Sequence, residues 1–217
     1  MTTSITPAQK PEVIYPESDG KPMADNTKQF RWIVTIQGGI DALFRGNPEV
    51  FVAGDLLWYP VENHNKICQA PDIMVVFGRP KGDRGSYRQW EENNIPPQVV
   101  FEVLSPSNTL AEIIKKFKFY EHYGVEEYYI YDPSKGDLLG YIRSELELQQ
   151  VEDMQGFVSP RLGVRFALVD GELQIFRPDG ERFLNYVELE QQRQLAEQKA
   201  ARLAARLREM GVNPDEI

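Results

Sequence analysis

Hydrophobic positions change their spacing several times along the chain, and each change marks a different kind of element. Ile33, Ile36, Ile40 and Leu43 fall at helical intervals behind Asp25, a residue type that caps helix starts. A helix of about 20 residues is therefore predicted, reaching Phe44 before the break at Gly46 and Pro48. Gly38 and Gly39 weaken that helix, a cost that suits close approach by a strand or partner. Val50 to Tyr59 is rich in strand formers. Asp72–Phe77 and Gln98–Leu104 are nearly continuous apolar runs, the mark of strands buried on both faces. Helical spacing returns over Thr109–Tyr123, closed by Gly124, and strand character over Glu126–Tyr131. Shorter strands are predicted at Asp137–Arg143, Leu146–Val151, Val164–Val169 and Glu172–Phe176, the last two joined at Asp170-Gly171 as a hairpin. A helix between buried strands predicts an α/β (α+β) fold, a mixed β-sheet flanked by helices.

The two ends differ from this middle. Residues 1–24 contain Pro7, Pro11, Pro16 and Pro22 and few large apolar side chains, a composition for an extended arm. In the tail, Leu189, Ala196, Ala200, Leu203, Leu207 and Met210 form a heptad seam with its weak position at Arg193. Such a seam suits a dimerising or docking helix, and it also fits an amphipathic helix folded back on its own domain. The predicted organisation is an arm (1–24), one α/β domain (25–186) and a C-terminal coiled-coil-like helix (187–217).

Composition narrows the function classes. With 217 residues and 41% hydrophobic content, the chain can bury a core of its own. No apolar run approaches the roughly 18 residues of a membrane span, and Met1–Lys10 lacks a signal-peptide pattern. The single cysteine, Cys68, cannot form an internal disulfide, which suits a reducing cytoplasm. A net charge of −9 argues against a protein that coats nucleic acid nonspecifically. It is compatible with a nuclease, because a divalent cation can stand between acidic ligands and phosphate. Arg79, Lys81, Arg84 and Arg88 form one basic cluster and Lys115, Lys116 and Lys118 another, each serving as a docking patch or as ordinary solvated charge.

Most catalytic schemes lack their residues. The only histidines, His64 and His122, have no zinc-site spacing, and no histidine signature accompanies Cys68. Gly78-Arg79-Pro80-Lys81-Gly82 lacks the Lys-Ser or Lys-Thr pair of a phosphate loop. Carboxylates remain. Asp72 opens one buried apolar run and Glu102 lies inside another, where acids are rare unless paired. Each alone has a structural explanation, a strand-opening Asp or a Glu meeting a buried lysine. Together, on adjacent strands, they would converge on one point, where a divalent cation is the economical partner. On the helix from Thr109, Ile113, Phe117 and Tyr120 define an inner face. Lys115 and Lys118 then point to solvent, whereas Lys116 borders the buried face one turn before Tyr120. Lys116 is the lysine placed to reach inward.

The ordered series Pro71-Asp72, Glu102-Val103-Leu104-Ser105-Pro106-Ser107, Lys116, Tyr120, Gly124-Val125-Glu126-Glu127-Tyr128-Tyr129 and Asp132-Pro133 resembles the Uma-two type of putative restriction endonuclease. That family was catalogued as a domain of unknown function and belongs to the PD-(D/E)XK nuclease superfamily. The resemblance is strongest from Val50 to Asp132 and extends to the helix ending Met210-Gly211-Val212-Asn213-Pro214. Two departures stand out. Leu104 occupies the place of the superfamily's lysine, two residues after Glu102, so the lysine looks moved to Lys116. Many relatives open the first helix with a histidine near the site, and here that stretch reads Asp25-Asn26-Thr27-Lys28-Gln29, leaving Asn26 or Gln29 as the substitute polar contact.

The resemblance implies hydrolysis of phosphodiesters in nucleic acid, DNA before RNA. It implies that Asp72, Glu102 and the Val103 carbonyl hold Mg²⁺, with Mn²⁺ as a substitute, an oxygen-only set suited to a hard cation. Lys116 would orient the attacking water and stabilise developing charge. Tyr120 would hydrogen-bond Lys116 or a phosphate oxygen, or else pack in the core. Asp55, after Gly54, is a weaker candidate for a third acid. The competing readings are a catalytically inactive nuclease-fold nucleic-acid binder and an oligomeric scaffold built on the tail helix, here expected to form a homodimer or other homo-oligomer.

Overall fold

The computed structural model describes residues 13–18, 20 and 22–214. Chain order runs α1 (Thr27–Leu43), β1 (Val50–Gly54), β2 (Trp58–Tyr59), β3 (Ile73–Phe77), β4 (Tyr87–Arg88) and β5 (Val99–Val103). It continues α2 (Leu110–His122), β6 (Glu127–Asp132), β7 (Asp137–Ser144), β8 (Glu147–Gln150), β9 (Arg165–Val169), β10 (Glu172–Phe176) and α3 (Tyr186–Glu209). Six strands form one sheet in the order β1-β3-β5-β6-β7-β8. Only β5 and β6 pair in parallel there, and α2 is the crossover that such a pair requires.

Strand alternation splits the interior in two. Val99, Phe101 and Val103 pack with Ile33, Ile36 and Ile40 of α1 and with the β9–β10 hairpin. Met74, Val76 and Val100 face the other way, against Tyr120 of α2 and Trp58 of β2. Both faces of the sheet are thus covered, which is why its strands read as continuous apolar runs.

Several details refine the predicted elements. The cap of α1 is Asn26, one residue after Asp25, with its side chain accepting a hydrogen bond from Gln29 N. Phe183 lies 2.3 Å from where a Cβ on Gly39 would stand, so the glycine admits an aromatic ring against the helix. The run Val50–Tyr59 is broken at Asp55, whose φ of 48° turns the chain out of the sheet. Beyond that turn β2 pairs in parallel with the two-residue β4, too short to leave a periodic signal.

The described part of the N-terminal arm is tied down. Tyr59 OH donates to Pro16 O at 2.8 Å, Asn65 Nδ2 to Ile14 O at 2.8 Å, and Tyr15 packs edge-on against Tyr59. Residues 1–12, 19 and 21 of that arm, and Asp215 and Glu216 of the tail, lie outside the described residues. At the other end α3 starts with a capping box between Asn185 and Glu188, and none of its residues is buried. Among the described residues no helix is long and apolar enough to cross a membrane.

Candidate metal centre

β3 and β5 run antiparallel with Ile73 opposite Phe101. One residue further along that register Asp72 stands opposite Glu102, both side chains on the α2 face. The backbone of Val103 completes the junction. Leu104 N donates to Tyr131 O at 2.7 Å, so the parallel ladder turns the N–H and C=O of Val103 away from β6. They face the side where β3 has not yet begun, and side chains take the place of a strand there. Asp72 Oδ2 accepts from Val103 N at 2.7 Å, and Gln29 Nε2 of α1 donates to Val103 O at 2.8 Å.

From the opposite face α2 delivers two donors to Glu102, which is 3% exposed. Thr109 and Glu112 close a capping box that sets where α2 begins, and hence which side chains meet the sheet. Lys116 Nζ lies 2.5 Å from Glu102 Oε2, and Tyr120 OH donates to Oε1 at 2.5 Å. Tyr120 therefore bonds Glu102, not Lys116, and its full burial keeps it from any phosphate. Lys115 and Lys118 are exposed, but Lys115 also lines the cavity. With Glu112 and Lys116 it forms an i, i+3, i+4 edge of α2 along the rim, so its side chain is not turned wholly to bulk solvent.

Some of these side chains border a cavity of about 520 Å³. Asp72, Glu102 and Lys116 line it, α1 contributes Gln29, and the chain before α1 walls one side through Asp25. The wall is fastened to the β5–α2 loop: Asp25 Oδ2 accepts from Ser105 Oγ at 2.6 Å and from Ser107 Oγ. No periodicity announces that contact; a serine pair beside the acidic strand is its only trace in the sequence. Asp55 lines the same cavity, and its backbone N donates to Pro71 O and Asp72 O.

Burial, reinforced by the charge of Glu102, holds the Asp72 carboxyl well above its ordinary range, against the opposing pull of Lys116. Burial works against the Lys116 ammonium, yet Glu102 and Asp72 outweigh it and raise its pKa. Burial and Glu102 also push the Tyr120 phenol well above its usual value, keeping it a proton donor. Among the described residues no three His, Cys, Asp or Glu side chains cluster as a ready metal site. The available donors are two carboxylates and one carbonyl, all hard oxygens. Asp72 Oδ1 has no hydrogen bond among the described residues, and each Glu102 oxygen accepts one and retains capacity for another. That donor set fits a Mg²⁺-class cation completed by water or substrate.

Sequence comparison decides the family. The profile of Uma2, described as putative restriction endonuclease, matches residues 21–164, more than half of the 217. The chain belongs to the Uma2 family. The matched span includes Asp72, Glu102, Lys116 and the whole central sheet, and stops before β9, β10 and α3. Membership supports a nuclease function. Among solved structures, the chain is similar to a putative nuclease belonging to DUF820 from Anabaena variabilis ATCC 29413, determined at 1.96 Å. The two share 16% identity with a TM-score of 0.49, over 66% of this chain and 77% of the other. No curated protein matches significantly.

In this Uma2 chain the loop cations are held in ion pairs, one of them to α1. Arg79 and Arg84 both bind Glu92, at 2.6 and 2.7 Å, and Lys81 binds Asp41 at 2.6 Å. Arg88 pairs with Glu91 at 3.4 Å, so all four cations of that cluster have carboxylate partners within the protein.

Proposed function

We propose that this Uma2 protein is a divalent-metal-dependent endonuclease that hydrolyses phosphodiester bonds in DNA. The observation that carries the reading is the meeting of Asp72, Glu102 and Lys116 at one cavity, from two strands and a crossover helix. Asp72, Glu102 and the Val103 carbonyl would hold Mg²⁺ or Mn²⁺, which supplies Lewis acidity towards a phosphate oxygen. Lys116, already on Glu102, orients the attacking water and stabilises charge on the phosphate. Tyr120 holds Glu102 in place from the dry side. Asp55 tunes the charge on Asp72.

A catalytically inactive binder is the weaker reading. Such a protein needs unpaired cations to neutralise phosphates, and here Arg79, Lys81 and Arg84 are already ion-paired in a chain of net charge −9. We also propose residues 25–186 as the nuclease unit in a cytoplasmic protein, with α3 joining copies into a homodimer or other homo-oligomer. The support for that is the seam of Leu189, Leu203 and Met210, which stay 51%, 57% and 68% exposed.

Incubation with DNA and RNA panels, with and without Mg²⁺ or Mn²⁺, tests the function. Metal-dependent cleavage of DNA that disappears in Asp72→Ala and Glu102→Ala supports it. Binding without cleavage under every metal condition would return the protein to the binder class.

A further inference from the structure

Gln29 does two things at once. As the third residue of α1 it donates its backbone N–H to the cap oxygen, Asn26 Oδ1, and its Oε1 reaches back to accept from Asp25 N at 2.8 Å. That half of its role is helix capping. The other half leaves the helix: Nε2 donates across the interior to Val103 O, 74 residues away in sequence, at 2.8 Å. The side chain is 6% exposed and lines the cavity that holds Asp72 and Glu102.

The contact matters because of where the ladder leaves Val103. Its carbonyl points away from β6, and β3 starts too late to reach it. A carbonyl at a strand end with no ladder partner has a soft orientation unless something fixes it. The amide of Gln29 occupies one of its two lone-pair directions and leaves the other available. The amide itself cannot swivel, because its oxygen is held by Asp25 N. Asp25 is in turn bonded through its carboxylate to Ser105 and Ser107, on the loop that leaves β5. The Val103 carbonyl is thus held by Gln29, whose amide is fixed in turn by Asp25.

We infer that Gln29 is a positioning residue for the metal centre, aiming the Val103 carbonyl into the site. The inference rests on the proposed role of that carbonyl as a metal ligand. Outer partners that orient a ligand typically govern metal affinity by about 10–100-fold.

Mn²⁺ binding to the full chain, measured by calorimetry on the unaltered protein, Gln29→Met and Asn26→Ala, tests it. Gln29→Met keeps the length and loses both side-chain bonds, whereas Asn26→Ala loses a cap of α1 without touching the carbonyl. Gln29→Met should weaken Mn²⁺ binding about tenfold or more. Asn26→Ala should stay within about twofold while lowering the melting temperature, since caps act on helix stability. If Gln29→Met proves insoluble, Gln29→Asn carries the test, because its amide is one methylene short of the carbonyl. Unchanged affinity in the Gln29 variant, or an equal loss in Asn26→Ala, overturns the positioning role and leaves the nuclease reading intact. An unaltered protein that does not bind Mn²⁺ overturns the metal reading first and this inference with it.

Discussion

Glu102 and Glu127 lie in neighbouring parallel strands, 3% and 1% exposed, so burial by itself does not rank one above the other as a catalytic acid. Their surroundings separate them. Glu127 accepts from Tyr129 OH at 2.8 Å, from Ser159 Oγ at 2.5 Å and from Arg161 N at 2.5 Å. Burial still leaves its carboxyl above the ordinary range, but every donor comes from a hydroxyl or the backbone. Such an arrangement staples the segment before β9 to the sheet. Glu102 meets an ammonium, a phenol and a second acid beside an open cavity. A buried carboxylate alone therefore says little about chemistry; a second acid and access from solvent are what distinguish a site from a staple.

That contrast breaks most visibly in activity. Lys116→Ala should lower DNA cleavage by about 10²-fold or more while DNA binding persists, the scale of a lost transition-state donor. Lys115→Ala and Lys118→Ala should cleave almost normally at low salt, with Lys115→Ala showing the larger binding defect because it lines the rim. Equal losses in all three, read in single-turnover assays, would reduce Lys116 to one docking charge among several.

Glu127→Ala should act on stability and leave function alone. Removing the carboxylate strands Ser159, Tyr129 and Arg161 N, at a cost of about 3 kcal/mol in urea unfolding. Mn²⁺ affinity and cleavage by the folded fraction should match the parent, and a selective loss of cleavage would erase the distinction between the two glutamates.

Asp72→Asn should separate metal binding from stability in opposite directions. The folded pKa of Asp72 lies above its unfolded value, so between the two the native state keeps a proton that the unfolded chain releases. Stability of the metal-free protein is then greatest below the ordinary carboxylate range and falls as pH rises through the raised pKa. Asp72→Asn should remove that slope and raise the metal-free melting temperature at neutral pH by a few degrees, while abolishing Mn²⁺ binding. In the parent, Mn²⁺ affinity should rise with pH, because binding displaces the proton. A variant less stable than the parent without metal would show that Asp72 is held by its bond to Val103 N and not strained by burial.

The smallest effect on the nuclease unit should come from α3. Truncation before Val187 should change its melting temperature little, since no residue of α3 is buried, but lower the mass seen by light scattering. An unchanged mass would remove the seam as a dimer contact.

Much of this was written in local pattern. The apolar runs at Ile73–Phe77 and Val99–Val103, the helical face of Ile113, Phe117 and Tyr120, and the Asp170-Gly171 hairpin follow from side-chain periodicity and turn chemistry. The helix wheel likewise puts Lys116 at the border of the buried face, where it meets Glu102, but it turned Lys115 to solvent, and the fold sets that side chain on the cavity rim. What tertiary structure decided are the contacts made by groups far apart in the chain. That Tyr120 bonds Glu102, that Lys115 shares the cavity rim, that Arg79 and Arg84 converge on Glu92, and that Gln29 meets Val103 O depend on strand register and on where β3 begins. Glu127 makes the point most plainly: it too is a buried acid in a strand of the same sheet, and the packing of a distant loop carrying Ser159 and Arg161 made it a staple. Periodicity is a property of neighbours along the chain, whereas the protonation and role of a buried carboxylate are set by whichever donors, charges and water the fold brings within a few ångströms of it.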